Sequence, residues 1–380
     1  MRRTLAFLSV LLLLGALAAG GVYWWTNDVF TSPGPHEESA RVEVPKGASV
    51  RSVVNRLAER GLVSKPRVVL MYLRVRGEHP KIKAGTYEIP PHASPARVFS
   101  MLERGEVVME QLTVVEGSTF AELRRQLEKH PAVVATLRGK TDAEVMAAIG
   151  HPGEHPEGRF FPDTYRFAAG TTDVEILKLA YNSMERLLAQ AWERRKPDLP
   201  INTPYEALIL ASIVEKETGV AQDRPQIAGV FTKRLKIGMR LQTDPTVIYG
   251  LGDKFDGDIR SRDLTTDTPY NTYTRAGLPP TPIALPGRDS VFAAVQPDET
   301  GALFFVATGD GTGSHYFSRT LEEHNQAVRR YLARLRQQRA SQSGSQTSAP
   351  SRDSAARAES AGRVGASGDN VPAQVGGDSR

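Results

Sequence analysis

The 380-residue chain contains no cysteine. That absence excludes a disulfide framework, a thiolate-bound zinc or iron–sulfur centre, a thiol nucleophile and a lipid anchor on an N-terminal cysteine. It leaves the compartment open, because a chain of this length buries enough surface to fold without disulfides. Dense runs of one charge are also missing. Lys and Arg number 48 against 43 Asp and Glu, a net charge of +5, and the two signs are interspersed. Nothing marks a nucleic-acid tract, and no nucleic acid is expected as a partner. No Gly-x-Ser-x-Gly elbow occurs. Gly139-Lys140-Thr141 echoes the end of a phosphate loop, but Val134 stands where its first glycine belongs. His151-Pro-Gly-Glu-His155 spells a zinc pattern whose ligands must share one helical face, and Pro152, Gly153 and Pro156 break such a helix. His315 and His324, with Glu322 or Glu323, could be ligands, but Glu-Glu-His-Asn after Thr320 fits the start of a capped helix better. No metal and no organic cofactor is expected.

Long uncharged runs are absent with one exception. Thr4 to Trp25 spans 22 residues without a charge. As a helix it reaches about 33 Å, against about 30 Å of bilayer hydrocarbon. Arg2 and Arg3 precede it, and Trp24 and Trp25 close it as an interfacial pair. The charge asymmetry holds the N-terminus in the cytoplasm and sends everything after Asn27 across the membrane. The alternative is a cleaved signal peptide, with small-residue sites at Ala16-Leu17-Ala18 and Ala18-Ala19-Gly20. Both readings export the bulk of the chain. At the other end, the Ser, Gly, Ala, Gln and Arg of the last forty or so residues cannot repay their ordering entropy, which predicts disorder.

One pattern occurs three times: Val42-Glu-Val-Pro-Lys-Gly-Ala-Ser49, Tyr87-Glu-Ile-Pro-Pro-His-Ala-Ser94 and Leu112-Thr-Val-Val-Glu-Gly-Ser-Thr119. Each opens with strand-like alternation, reaches a turn, and presents Ser or Thr as a helix N-cap. Helical spacing follows in each copy, as in Val53, Val54 and Leu57. The copies are too few and too unevenly spaced for a solenoid. They predict small α+β modules that resemble the LysM glycan-binding module, or else a structural spacer built from the same unit.

Tyr205 to Thr218 reads Tyr-Glu-Ala-Leu-Ile-Leu-Ala-Ser-Ile-Val-Glu-Lys-Glu-Thr, a helix apolar enough to be buried nearly all round. Glu215 and Glu217 lie in its last turn, before Gly219. Partial desolvation and the negative end of the helix dipole both disfavour a carboxylate there, which suits a general acid near neutral pH. A surface glutamate paired with Lys216 or Arg240 is the plainer reading. A second amphipathic helix follows over 223–237. Beyond it, Pro-fixed loops carry Gln242, Asp244, Tyr270, Asn271 and Tyr273, residue types that hold sugar hydroxyls and stack on sugar rings. Each could equally brace a loop. Glu157 and Asp163 are further candidates beside the packing residues Phe160-Phe-Pro162.

The strings Ala211-Ser-Ile-Val-Glu-Lys-Glu-Thr218, Val230-Phe-Thr-Lys-Arg-Leu235, Met239-Arg-Leu-Gln-Thr-Asp-Pro-Thr-Val-Ile-Tyr-Gly250 and Tyr270-Asn-Thr-Tyr273 closely resemble the endolytic murein transglycosylases of the YceG-like family. Glu157-Gly-Arg-Phe-Phe-Pro-Asp-Thr-Tyr165 and Gly277-Leu-Pro-Pro280 match further family segments. The resemblance runs over about 41–337 and implies a single-pass inner-membrane protein whose periplasmic part carries a LysM-like subdomain. It implies endolytic cleavage of nascent peptidoglycan glycan strands beside the wall synthases, with Glu217 as the catalytic acid. The expected architecture is α+β. Residues 1–3 are cytoplasmic, 4–25 the anchor and 26–40 a linker. A LysM-like region covers 41–131, a helical connection 132–200, the catalytic domain 201–337 and a disordered tail 338–380. Capping boxes are expected at Thr172 with Glu175 and Thr320 with Glu323, and a buried strand at 303–306.

Overall fold

The computed structural model describes residues 2–77 and 80–346. It is a mixed α and β protein with one apolar N-terminal helix. In chain order the elements are α1 (Arg2–Thr31), β1 (Ala40–Val44), α2 (Val50–Glu59), α3 (Pro66–Val75), β2 (Gly85–Ile89), α4 (Pro95–Arg104), β3 (Met109–Thr113) and α5 (Phe120–Lys129). Then follow β4 (Val133–Val134), α6 (Asp142–Ile149), β5 (Thr164–Ala168), β6 (Thr171–Thr172), α7 (Asp173–Glu193), α8 (Pro204–Glu217), α9 (Arg224–Lys236) and α10 (Asp244–Leu251). The last are α11 (Ser261–Thr265), α12 (Arg288–Val295), β7 (Phe304–Ala307), β8 (His315–Ser318) and α13 (Leu321–Gln346). Two compact units result: residues up to Leu112 with 127–138 and 164–176, and residues 113–126 and 139–163 with the chain from Leu177 onward.

In the first unit, the first two repeat copies share one core. β1 and β2 pair antiparallel, Ala40 opposite Ile89 and Val44 opposite Gly85. Their alternation points Val42, Val44, Tyr87 and Ile89 inward, onto Val53, Val54 and Leu57 of α2 and Val98, Phe99 and Leu102 of α4. The predicted caps form. Ser49 accepts the Ser52 N–H at 3.2 Å, and Ser94 accepts that of Arg97 at 3.2 Å. In the second unit, Thr119 and Glu122 exchange bonds as a capping box, at 3.2 and 2.8 Å. The third copy departs from the first two: its strand β3 pairs with β5 in a separate two-stranded sheet. Four two-stranded sheets form in all among the described residues. The apolar helix continues past Trp25 to Thr31, so the segment expected as a linker begins helical. Phe30 ends the helix inside the first core, stacked on Tyr72 with ring centroids 4.2 Å apart.

The second unit is organised on α8. Pro204 opens it at N1, and Thr203 accepts the Glu206 N–H at 3.1 Å. Every residue from Ala207 to Val214 is buried, so its aliphatic side chains contribute about 1.5–3 kcal/mol each on leaving water. α9 and α12 pack against it, and α10 meets its C-terminal end. β7 and β8 form an antiparallel hairpin, Phe304 opposite Ser318, backed by α13. The box expected at Thr320 with Glu323 is present, as is the one at Thr172 with Glu175 in the first unit. α13 reaches Gln346, beyond the predicted start of the disordered tail, because the Arg-, Gln- and Ala-rich stretch after Tyr331 still favours helix. Residues 347–380, where the rest of that tail was expected, lie outside the described residues.

Gly229 explains how closely α9 fits its surroundings. A Cβ there would meet the Asp298 carbonyl oxygen at 2.0 Å. Gly229→Ala is expected to cost about 1–2 kcal/mol net, overpacking outweighing the roughly 1 kcal/mol gained in helix propensity. Thermal unfolding checks this, and a raised midpoint would contradict the tight approach.

Candidate active site

The last turn of α8 ends in the alternation Glu215-Lys216-Glu217, and successive helical residues turn by about 100°. The two glutamates therefore leave the helix on opposite sides. Glu215 turns inward. Its side chain is 5% exposed, it accepts the Gly287 N–H at 2.9 Å, and it faces the Arg224 guanidinium at 3.4 Å. Arg224 also faces Asp289 at 3.4 Å and Glu116 at 3.7 Å. Burial, the nearby charge of Glu215 and that of Asp289 raise the Glu116 carboxyl above its usual range, against the pull of Arg224. Lys216 reaches the Gly117 carbonyl at 3.2 Å. These contacts fix the end of the helix.

Glu217 faces a cleft of about 850 Å³ lined also by Glu157, Lys216, Asp244, Tyr249 and His315. Its Oε1 accepts a hydrogen bond from the Thr243 hydroxyl. Thr243 is fully buried just before α10, and its position is determined by a second segment. The Thr243 N–H donates to Thr272 Oγ1 at 3.1 Å, and the Gln242 N–H donates to the Thr272 carbonyl at 3.2 Å. Thr272 Oγ1 in turn lies 2.9 Å from Thr246 Oγ1. Gln242 takes a left-handed backbone, φ 49°, the strained turn that lets both N–H groups reach one residue. Arg234, buried beside this segment, donates to the Leu303 and Leu241 carbonyls. Desolvation lowers its pKa to about 10, while the charges of Glu217 and Tyr273 favour its protonated form.

The other residues expected at the site have distinct places. Asp244 lines the cleft and accepts the Tyr273 O–H at 2.6 Å. Burial raises the Asp244 carboxyl despite that bond, and both burial and Asp244 raise the Tyr273 phenol strongly. Gln242, Tyr270, Asn271 and Tyr273 do not themselves line the cleft. Asn271 is 1% exposed, and its Nδ2 donates to the carbonyls of Asp263, Leu264 and Thr266. Tyr270 packs edge-on against Tyr249 and bonds Thr281 at 2.8 Å. The structure thus brings Glu217 and Asp244 into the cleft and leaves the other four bracing the loops behind it.

Two further residues of the site, Thr243 and Glu157, carry little signal in the sequence. The only sequence sign of Thr243 is an N-cap residue before Asp-Pro. Glu157 is 4% exposed, at the cleft wall. Its Oε1 accepts the Phe120 N–H at 2.9 Å, at the start of α5, and its Oε2 accepts the Tyr249 O–H at 3.1 Å. Desolvation dominates these bonds and lifts the carboxyl to about 7. Burial and the adjoining Glu157 raise the Tyr249 phenol in turn. His155, whose Nδ1 accepts the Glu157 N–H at 3.2 Å, is pushed down by burial.

The raised Glu157 carboxyl carries a stability signature. Native protein holds this proton up to about pH 7, whereas the unfolded chain releases it near 4.5. The proton-linked contribution is therefore complete below about 4.5 and lost as pH rises to about 7. Glu157→Gln, which mimics the neutral form, should match wild type in unfolding midpoint near pH 4.5 and exceed it at pH 8. Parallel pH profiles for the two proteins would contradict the assignment.

Comparison with known proteins places this geometry in a family. The YceG-like family profile matches residues 42–330. The endolytic murein transglycosylase of Bacillus subtilis is 30% identical over 312 residues, covering 78% of this chain and 85% of that protein. The endolytic murein transglycosylase of Streptococcus pneumoniae D39 is 27% identical over 364 residues, and the match takes 86% of this chain but 65% of that longer protein. A crystal structure of a YceG-like protein from Listeria monocytogenes aligns at 29% identity, covering 76% of this chain and 99% of that one, with a TM-score of 0.48. With the family profile spanning the chain from the first repeat to the last helix, and a relative matched over most of its own length, the protein belongs to the YceG-like family.

Proposed function

We propose that this protein is an endolytic peptidoglycan lytic transglycosylase that cuts the bond between N-acetylmuramic acid and N-acetylglucosamine within nascent glycan strands, leaving 1,6-anhydro ends and stopping elongation. Family membership supports the reading, and the observation that carries it is Glu217, held by Thr243 at the wall of a cleft large enough for sugar rings. Glu217, protonated, donates its proton to the glycosidic oxygen as the C1–O bond breaks. The resulting carboxylate then takes the proton of the muramoyl 6-hydroxyl while that oxygen closes on C1. The proton returns to Glu217, water is not consumed, and no metal or organic cofactor enters. The internal nucleophile has high effective molarity, so one enzyme carboxyl suffices where most glycosidases need two. Asp244 and the loop residues behind it, Gln242, Tyr270, Asn271 and Tyr273, shape the sugar site.

We read α1 as a single-pass anchor in the inner membrane, with the N-terminus cytoplasmic and the remainder periplasmic. Phe7–Thr31 is long and apolar enough to cross the bilayer, which supports an anchor. Peptidoglycan synthases are the fitting neighbours for an enzyme that terminates their product. The first unit, with its two capped βα copies paired through β1 and β2, serves as the LysM-like part of the periplasmic region.

Glu217→Gln is expected to abolish anhydromuramoyl products from isolated sacculi while leaving folding intact. Glu215→Gln should keep product formation and lower the unfolding midpoint, because it strips the buried Arg224 of its one buried charge partner among the described residues. Mass spectrometry of the released fragments reads the outcome, since anhydro ends lack one water relative to reducing ends. Reducing ends would indicate a water-using muramidase, and no fragments at all a non-catalytic glycan-binding scaffold.

A further inference from the structure

We propose that His315 is a substrate-contacting residue, its Nε2 accepting a hydrogen bond from a hydroxyl or acetamido N–H of an amino sugar in the cleft, and that Asp223 is the positioning residue that fixes its tautomer. His315 Nδ1 lies 2.8 Å from Asp223 Oδ2, and the two side chains are only 12% and 10% exposed. A carboxylate only accepts, so Nδ1 carries the hydrogen, and in the neutral imidazole Nε2 then carries the lone pair. Asp223 is itself fixed. Its N–H donates to the Val220 carbonyl at 3.1 Å, and its carbonyl accepts the Ile227 N–H at 2.9 Å at the start of α9. The imidazole is held on its other sides by aromatic rings. Phe305 meets it edge-on at 5.5 Å, and Phe317 lies 6.4 Å away.

That leaves Nε2. It has no hydrogen-bond partner among the described residues and is not one of their buried unpartnered polar atoms, so it is open to the outside. His315 lines the same cleft as Glu217. An imidazole on a cleft wall, with one nitrogen tied to a buried carboxylate and the other accessible and unpartnered, is oriented for a ligand. If the pair served only to tie β8 to the turn before α9, nothing would require an accessible, unpartnered Nε2 on a cleft-lining residue. The ligand class follows from the lone pair. A neutral Nε2 needs an O–H or N–H donor, which amino sugars supply at every ring.

The inference rests on the glycan reading, and its test separates the two. Asn carries its amide near the position of Nδ1 and Gln near that of Nε2. His315→Asn therefore keeps the tie to Asp223 and loses the cleft acceptor, while His315→Gln does the reverse. With full-length protein in detergent and isolated glycan strands, His315→Asn should raise KM about tenfold, the worth of one hydrogen bond, with kcat within about threefold. His315→Gln should lie closer to wild type in KM and below it in unfolding midpoint. An unchanged KM in His315→Asn, or rescue by Asn rather than Gln, would overturn the proposal. Histidine ¹⁵N spectra of the wild-type protein at about pH 7.5 should show Nδ1 protonated and Nε2 bare. An Nε2–H tautomer would overturn the proposal whether or not the variants fold. Wild-type protein that yields no anhydro ends would instead remove the glycan reading.

Discussion

The hydrogen bond from Thr243 to Glu217 is the contact on which the site depends. It joins two frameworks that are separately rigid. On one side is α8, buried from Ala207 to Val214 and unable to rotate without exposing its aliphatic side chains. On the other is the turn before α10, fixed by the left-handed Gln242 and the pair of N–H bonds to Thr272. A single neutral hydrogen bond is worth only about 0.5–1.5 kcal/mol net. Its effect is positional, because the helix and the turn that it joins are each held by their own contacts. The proposed proton donor, acting on one oxygen and then on another, needs that restraint more than it needs strong binding.

The two glutamates of the last helical turn divide the work by geometry alone. At two residues' separation they diverge by about 200° around the axis. One side chain is drawn into the Arg224 cluster and the Gly287 N–H, where it anchors the helix end, and the other is delivered to the cleft. Losing the first should weaken the scaffold, and losing the second should silence the chemistry. The cleft holds a further carboxyl of unlike character. Glu157 is tied to the start of α5 and to Tyr249, so its elevated proton affinity couples the wall of the site to its packing.

What could be read from the sequence was local. The caps at Ser49, Ser94, Thr119, Thr172 and Thr320 are set by residues three apart, and each forms as the spacing requires. The burial of α8 follows from a run from Ala207 to Val214 that is apolar but for Ser212. The unreadable parts were the long-range ones. The three repeat copies look alike in sequence, yet β1 pairs with β2 while β3 pairs with β5, because register depends on partners distant in the chain. His315 meets Asp223 across 92 positions, and Tyr249 meets Glu157 across 92. Asn271 illustrates the ambiguity at one residue. An amide suits a sugar hydroxyl or three backbone carbonyls equally well, and only the folded loop shows that its donors are spent on the latter.

The most direct measurement is a crystal structure of the Glu217→Gln protein with a bound glycan strand of alternating N-acetylglucosamine and N-acetylmuramic acid. The account predicts a bridging oxygen between muramoyl C1 and the next sugar about 3 Å from the amide at position 217, with the muramoyl 6-hydroxyl on the same side of the ring. A strand bound elsewhere, or one crossing the cleft with every glycosidic oxygen well beyond hydrogen-bond reach of that amide, would contradict it.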